Sequence, residues 1–323
     1  MKLIALKLMV ALVGTLVAAT PSWAQSYPDR PVKIIVPLTP GGGTDTMARG
    51  LAGRLTALWG KNVFIENRPG SGTIIGAEAA AKAPANGYTL FFTEPATFVI
   101  NPHLYKTLPY KLSDFAPITI VCWLSPALAV SNAVPVKTIA ELIQYAKAHP
   151  GALSYGSFGS GSYPHPAMEE FKHMAGIDLL HVPYKGSAGA IPDLISGQLS
   201  MLMITISVFE PHAKAGKLKI LAAATEKRLS LHPDLPTIAE TVPGYFINVW
   251  FGLAAPAATP VPILDKIHSD VVKVLSDQDF REKFLKPQSV EPGGISRDEF
   301  AALLQRELEV WGRLVRQSGA KAE

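Results

Sequence analysis

The sequence predicts an α/β protein of two domains, each an open and mostly parallel sheet with helices on both faces. Short apolar runs rich in β-branched residues alternate with helical patterns almost throughout the chain, as parallel sheets with crossover helices require. Two units of strand, glycine-rich loop and helix, at 32–58 and 153–175, begin the two halves. A length of 323 residues also fits two domains better than one.

The first half contains apolar runs of the kind that form strands covered on both faces. These strands are predicted at 32–36, 63–66, 88–93, 115–123 and 128–131. Helices are predicted at 44–58 and 74–83, and Pro84 ends the second of them. A loop at 94–97 and an irregular, proline-containing stretch at 101–111 separate the third strand from the fourth.

The second half repeats the alternation. A helix at 138–148 has its apolar residues on one face and ends at Pro150, and Pro164 suits the first turn of a helix at 164–175. Further strands are predicted at 153–155, 179–182, 199–206, 218–225 and 247–253. Further helices are predicted at 188–196, 209–215, 262–275, 279–286 and 297–317.

Residues 1–24 have the pattern of a secretory signal peptide. Lys2 and Lys7 accompany a short apolar run at 8–19, and Ser22 and Ala24 are small residues at the two positions that a signal peptidase reads. The apolar run is too short for a stable membrane span. We therefore expect cleavage after Ala24 and an exported protein that is not embedded in a membrane.

Charge and cysteine content exclude several classes of protein. Removal of Lys2 and Lys7 with the signal peptide lowers the formal charge from +4 to +2. The remaining basic residues are scattered, so no nucleic-acid partner is expected. Cys122 is the only cysteine, and its apolar neighbours predict a buried core residue rather than a nucleophile.

The glycine loop at 40–45 (PGGGTD) follows the first strand and precedes the first helix. Three glycines allow backbone conformations that other residues avoid and allow a ligand to approach the main chain. A helix start offers free N–H groups and a partial positive charge, so the loop is suited to hold an anion. Alternatively, the glycines only form a tight turn between strand and helix.

Known catalytic and cofactor motifs do not fit the sequence. The spacing G-x-G-x-x-G fails because the required position holds Thr46, and the phosphate-binding P-loop, the hydrolase elbow G-x-S-x-G and H-E-x-x-H are absent from the sequence. The eight histidines show no metal-ligand spacing, so no metal or cofactor is predicted. A catalytic set of Ser157, His165 and Asp193 can be drawn, but so many serines, histidines and aspartates allow such sets by chance.

Several loops instead combine hydrogen-bond donors at the ends of predicted parallel strands, where open α/β sheets bind ligands. These loops lie at 41–45, 71–73, 157–162 and 186–187. Arg68 and Lys185 bring positive charge nearby, and for both we favour loop fixation or solvent exposure over ligand contact. The set suits a small carboxylate held by many neutral donors.

Taken together, the motifs resemble the solute-binding receptors of tripartite tricarboxylate transporters, the Bug family. The resemblance covers essentially the whole mature chain in the right order. The matching stretches are PGGGTD at 40–45, ENRPG at 66–70, NPHLY at 101–105, YGS at 155–157, HVPYKG at 181–186 and WFGL at 250–253.

The resemblance implies a type II periplasmic-binding-protein fold, in which two domains close about a hinge over a ligand cleft. We expect the domains at 25–124 with 246–323 and at 125–245. The resemblance further implies a periplasmic, monomeric receptor without enzymatic activity, which delivers a small organic carboxylate to transporter membrane subunits. Carried onto this chain, the ligand-binding residues are Gly42, Gly43, Thr44, Asp45, Thr97, Ser157, Gly159, Ser162, His165 and Ile204.

Ile204 departs from the family pattern, because many relatives carry an aspartate that faces the cleft at this position. An aspartate suits an ammonium or hydroxyl group of the ligand, and an isoleucine does not. We therefore expect a ligand without an amino group, such as a dicarboxylate or an aromatic carboxylate. The alternatives are an exported serine hydrolase that uses the loop at 157–162, and a sensor component that serves a signalling kinase.

Overall fold

The computed structural model describes residues 27–70, 72–158, 162–184 and 186–319. Its strands form two sheets. Sheet A contains β1 (Val32–Val36), β2 (Val63–Asn67), β3 (Thr89–Thr93), β4 (Phe115–Trp123), β10 (Trp250–Pro256) and β11 (Glu291–Pro292), in the order β11-β4-β10-β3-β1-β2. Sheet B contains β5 (Pro126–Ser131), β6 (Ser154–Ser157), β7 (Leu180–Pro183), β8 (Met201–Thr205) and β9 (Leu218–Ala223), in the order β7-β6-β8-β5-β9.

The strand directions explain why the sheets were predicted as mostly parallel. In sheet A, β1, β2, β3 and β4 point one way, while β10 lies antiparallel between β3 and β4. In sheet B, β5 is the strand that runs against its neighbours β8 and β9. Both β5 and β10 follow directly after the chain passes from one sheet to the other. Sheet A has a second antiparallel strand at its edge, because the short β11 runs against β4.

The helices surround these sheets much as predicted. They are α1 (Gly43–Trp59), α2 (Ile74–Ala81), α3 (Asn101–Leu104), α4 (Ile139–Ala148), α5 (Pro164–Ala175), α6 (Ser187–Ser196), α7 (Ile206–Lys214), α8 (Val261–Ser276), α9 (Gln278–Phe280) and α10 (Arg297–Ser318). The predicted loop and irregular stretch after β3 form a π-helical turn at Ala96–Ile100 and the short α3. The predicted helix at 279–286 is split into α9, a π-helical turn and a 3₁₀ turn.

The core follows from the alternation of side chains along the strands. In β1, Val32, Ile34 and Val36 pack on one face of sheet A, and Ile35 packs on the opposite face. The cluster that contains Ile35 continues to Tyr155 and Met201 of sheet B, so one apolar cluster contacts both sheets. Cys122 is buried, as predicted.

Two crossing segments join the sheets side by side. The first crosses between β4 and β5, and the second crosses between β9 and β10. The N–H of Leu124 donates to the carbonyl oxygen of Val249 at 2.8 Å, which ties the first crossing to the second. Among the described residues, no helix is long and apolar enough to cross a membrane, and the predicted signal peptide at 1–24 lies outside them.

Candidate functional site

The glycine loop lies at the carboxyl end of β1 and leads into α1. Gly41 has a φ of 84°, a left-handed conformation that favours glycine. The helix begins at Gly43, and Gly42 before it supplies no side-chain cap. The first N–H groups of α1 therefore have no partner within the helix, and Gly42 and Gly43 are exposed. The loop thus presents main-chain donors at a helix N-terminus, as an anion site requires.

Asp45 holds this loop in place rather than extending from it. Its carboxylate is buried and accepts hydrogen bonds from the Gly41 N–H at 2.9 Å, from Arg49 Nε at 2.8 Å and from Asn67 Nδ2 at 2.9 Å. Burial raises the pKa of Asp45, but the hydrogen bonds from Arg49, Gly41 and Asn67 outweigh it and hold the pKa below its ordinary value. Asp45 is therefore ionised and fully engaged at neutral pH.

Thr97 belongs to a buried chain of hydroxyl groups behind the loops. It is completely buried, and its hydroxyl donates to the Thr73 hydroxyl at 2.9 Å and accepts from the Thr93 hydroxyl at 2.8 Å. Thr73 itself has a φ of 81°, which is unusual for a residue other than glycine. Asn101 donates to the carbonyl oxygen of Gly72 at 2.7 Å. The structure thus places Thr97 where it fixes the turn at 72–73.

The sheet B side of the site is built on stacked rings. Ser157, the last residue of β6, is buried, and its hydroxyl lies 2.6 Å from His181 Nε2. His181 stacks on His165 with ring centroids 4.0 Å apart and on Tyr155 with centroids 4.9 Å apart. Ser162 accepts a hydrogen bond from the Phe158 N–H at 3.1 Å. Ser157, Ser162 and His165 are therefore brought together, while Gly159 lies outside the described residues.

The proposed catalytic set is not assembled by this arrangement. The histidine that lies within hydrogen-bond distance of the Ser157 hydroxyl is His181, whereas His165 stacks on the His181 ring. Asp193 is used elsewhere, because its carboxylate accepts a hydrogen bond from the Tyr184 hydroxyl at 2.8 Å. Arg68 forms an ion pair with Glu66, in agreement with its expected role in fixing the loop, and Lys185 lies outside the described residues.

Ile204 lies in the apolar core of sheet B. It packs in a cluster with Leu194, Leu202 and Phe209 and is 3% exposed. This packing does not favour the predicted ligand contact, and Thr205 is the partly exposed residue at the end of β8. The physical reason is the two-residue alternation of a strand, which turns neighbouring side chains to opposite faces.

Burial keeps the His165 ring neutral. Burial and, to a smaller extent, the neighbouring His181 together lower the pKa of His165 from 6.5 to about 4. The pKa of His181 is also lowered, chiefly by burial. The unfolded chain therefore binds more protons than the folded protein between pH 6.5 and 4, and folding stability is lost as the pH falls through this window.

We expect His165 to contribute about 3 kcal/mol of pH-dependent stability, all of it present above pH 6.5. Urea unfolding at pH 7 and at pH 4.5 measures the loss. In a His165→Gln variant, the loss between the two pH values should shrink by about 2 kcal/mol or more. A His149→Gln variant changes an exposed histidine and should keep the wild-type loss. Equal losses of unfolding free energy in all three proteins would contradict the expectation, because protonation of His165 would then not destabilise the folded protein.

Glu94 and Tyr163 were not predicted as site residues. Glu94 follows β3 at the same edge of sheet A as the glycine loop, and Tyr163 precedes α5. Burial raises the pKa of Glu94 to about 7. A single glutamate in a loop belongs to no motif, so the only sequence signal was a charged residue directly after a buried strand. Within the described ranges, no group of three or more metal-ligating side chains is found.

Comparison with known proteins agrees with the motif resemblance. The model of the tripartite tricarboxylate transporter family receptor, TctC, matches residues 47–320. The protein BugT of Bordetella pertussis is 32% identical over 320 residues, which cover 97% of this chain and 98% of BugT. R. palustris Rpa4515, solved with adipate, has 35% identity and a TM-score of 0.81 and covers 91% of this chain and 99% of its own. MatC from Rhodopseudomonas palustris, solved with bound malate, has 28% identity and a TM-score of 0.75 over 90% of this chain and 100% of its own.

Proposed function

Because the chain belongs to the TctC family of tripartite tricarboxylate transporter receptors, we propose that it captures a small organic carboxylate. The ligand lies between the glycine loop and the loop that follows β6. Dicarboxylates and aromatic carboxylates are favoured over amino acids. Two relatives support this class of ligand, one solved with adipate and the other with bound malate.

The start of α1 is the observation that carries the proposal. Gly42 and Gly43 are exposed, and the Asp45 carboxylate holds the loop from behind through the Gly41 N–H. The N–H groups of the first helical turn are therefore fixed in position and free for a ligand. An anion bound there interacts with the partial positive charge of the helix start.

The paired segments that join the two sheets support a proposed closure of the cleft. We propose domains at 25–124 with 246–323 and at 125–245, which move about the paired crossing segments. The hydrogen bond from Leu124 to Val249 lies within these segments. A ligand that contacts both domains binds the closed form more tightly than the open form, and it therefore shifts the population toward the closed form.

Delivery to the membrane subunits of a tripartite transporter completes the proposed role. The predicted signal peptide at 1–24 places the receptor in the periplasm, and we expect it to act there as a monomer without cofactors. The alternative role is that of a sensor component, in which the ligand-bound receptor activates a signalling kinase. A deletion of the membrane subunits distinguishes the two, because it abolishes uptake and leaves a signalling response unchanged.

A thermal-shift screen tests the proposed ligand class. At a ligand concentration of 100 times Kd, binding stabilises the folded protein by about 2.7 kcal/mol, which raises Tm by roughly 5–10 °C. We expect this shift with at least one dicarboxylate or aromatic carboxylate, and a smaller shift with the matching amide. A screen in which aspartate or glutamate binds most tightly would contradict the expected preference, and a screen without any shift would contradict the receptor function.

A serine hydrolase remains the second candidate because the Ser157 hydroxyl and His181 Nε2 lie 2.6 Å apart, as a nucleophile and a base do. The burial of Ser157 opposes this function, since a substrate carbonyl must reach the hydroxyl. A fluorophosphonate probe separates the candidates. Labelling that disappears in a Ser157→Ala variant would support the hydrolase, and we expect no labelling.

A further inference from the structure

Glu94 has a fixed backbone at the edge of the proposed site. It follows β3, which is parallel to β1 and pairs Phe91 with Ile35, so the residues after both strands lie at the same edge of sheet A. The carbonyl oxygen of Glu94 accepts a hydrogen bond from the N–H of Thr97 at 3.2 Å. The buried hydroxyl chain described above therefore holds this residue in place.

The carboxyl group of Glu94 has no compensating cation among the described residues. Burial alone accounts for the increase of its pKa to about 7. The residue as a whole keeps part of its surface exposed to solvent. A carboxyl group in this position is close to half-protonated at neutral pH, and small changes in its surroundings decide its charge.

Tyr163 approaches the same space from the sheet B side, where it precedes α5 in the loop after β6. Burial raises the pKa of the Tyr163 phenol, an interaction with Thr205 partly opposes the increase, and the negative charge of Glu94 adds to it. Glu94, after β3, and Tyr163, before α5, are therefore near enough for the charge of the carboxylate to act on the phenol. A ligand enclosed between the sheets at this point meets one carboxyl group and one neutral phenol.

We propose that Glu94 is a ligand-binding residue that selects dicarboxylates, and that it donates a hydrogen bond as the neutral acid to one ligand carboxylate. This inference rests on the proposed function, in which the other carboxylate lies at the glycine loop. An ionised Glu94 would repel the incoming carboxylate, and no described cation relieves the repulsion. One proton taken from solvent and shared between the two carboxyl groups removes it.

The charge balance predicts how affinity depends on pH. A nearby anion raises the pKa of Glu94 above its value of about 7 in the free protein. Below pH 7 the acid is already present, and affinity does not change. Above pH 7 each binding event takes up one proton, so affinity falls by up to tenfold per pH unit. Tyr163 stays neutral throughout this range, and so do His165 and His181, whose pKa values burial lowers.

Isothermal titration calorimetry on the exported protein tests this inference, with adipate and malate as probes. Titrations at pH 6 and pH 8, each in two buffers of different ionisation enthalpy, give the affinity and the number of protons taken up. For the wild type we expect roughly tenfold weaker binding at pH 8 than at pH 6, with close to one proton taken up per ligand at pH 8. A Glu94→Gln variant keeps a neutral donor and should bind equally at both pH values without proton uptake. A Glu78→Gln variant, which loses an exposed ion pair with Lys82 on α2, should behave as the wild type.

The outcomes separate this inference from the proposed function. Binding by the wild type without proton uptake at pH 8, or complete loss of binding in the Glu94→Gln variant, would overturn the role of the neutral acid. The second result would mean that the ligand donates to an ionised Glu94, as an ammonium or hydroxyl group does. If adipate and malate shift Tm but leave no proton signature, the receptor function stands and this inference fails. If neither they nor any other carboxylate binds at either pH, both fail.

Discussion

A Gly43→Leu variant should lose ligand binding and keep the fold. The side chain would project from the first position of α1, where the ligand carboxylate is proposed to contact the main chain. Hydrogen bonds to a charged group contribute about 1.5–3 kcal/mol each. The loss of two such bonds therefore raises Kd on the order of a hundredfold or more. Titration calorimetry with the strongest ligand of the thermal-shift screen measures the change.

The surroundings of Gly43 explain why the fold should tolerate this change. Among the described residues, a Cβ atom at this position would meet only Gln288 Oε1, at 3.9 Å. Gly53, farther along α1, is an exposed glycine, and a Cβ atom there would meet no atom of the described part of the chain within 4 Å. A Gly53→Leu variant is therefore the matched control and should bind as the wild type. Unchanged affinity in the Gly43 variant would mean that the loop is only a tight turn.

A Gly76→Ala variant should lose stability and binding together. Gly76 lies in α2, and a Cβ atom there would come within 2.6 Å of Pro37 Cβ and 2.8 Å of Pro37 Cα. Pro37 lies between β1 and the glycine loop, so relief of this overlap displaces the segment that leads into the loop, or the helix. Overpacking of this kind costs about 1–3 kcal/mol. Urea unfolding measures the cost, and titration with the same ligand measures the accompanying loss of affinity.

Gly53→Ala provides a control of opposite sign for this experiment. Alanine in an exposed helix interior is more favourable than glycine by about 1 kcal/mol, and the site is open to a methyl group. This variant should be slightly more stable than the wild type and should bind normally. If the Gly76 variant were as stable as the Gly53 variant, close packing of α2 on Pro37 would not be what positions the loop.

Much of the fold could be predicted because the strands carry their own signal. The run at 32–36 is apolar on both faces, and the structure buries Ile34 and Ile35 on opposite sides of sheet A. The antiparallel position of β10 could not be read in this way. Strand direction depends on where the chain crosses between the sheets, and the composition of a buried strand is the same in either direction.

The main-chain geometry of the glycine loop was predictable from the sequence. The glycines at 41–43 indicated the start of a helix with free N–H groups. In the structure, α1 begins at Gly43, after the edge of sheet A. Side-chain roles were less accessible. Thr97 contacts Thr73, which is distant in sequence, and Thr93, which is close in sequence. Both contacts form only in the folded chain, so the sequence does not display them. Glu94 was missed because a sequence does not display whether a carboxyl group has a partner in the folded chain.

The structure of the protein with its strongest carboxylate ligand tests the central claim most directly. We predict a carboxylate oxygen within about 3.2 Å of the first main-chain nitrogens of α1, including that of Gly43. The remainder of the ligand should lie toward Glu94 and Tyr163, between the two sheets. A ligand whose carboxylate lies away from the glycine loop, with the N–H groups of α1 bound only to water, would contradict the claim.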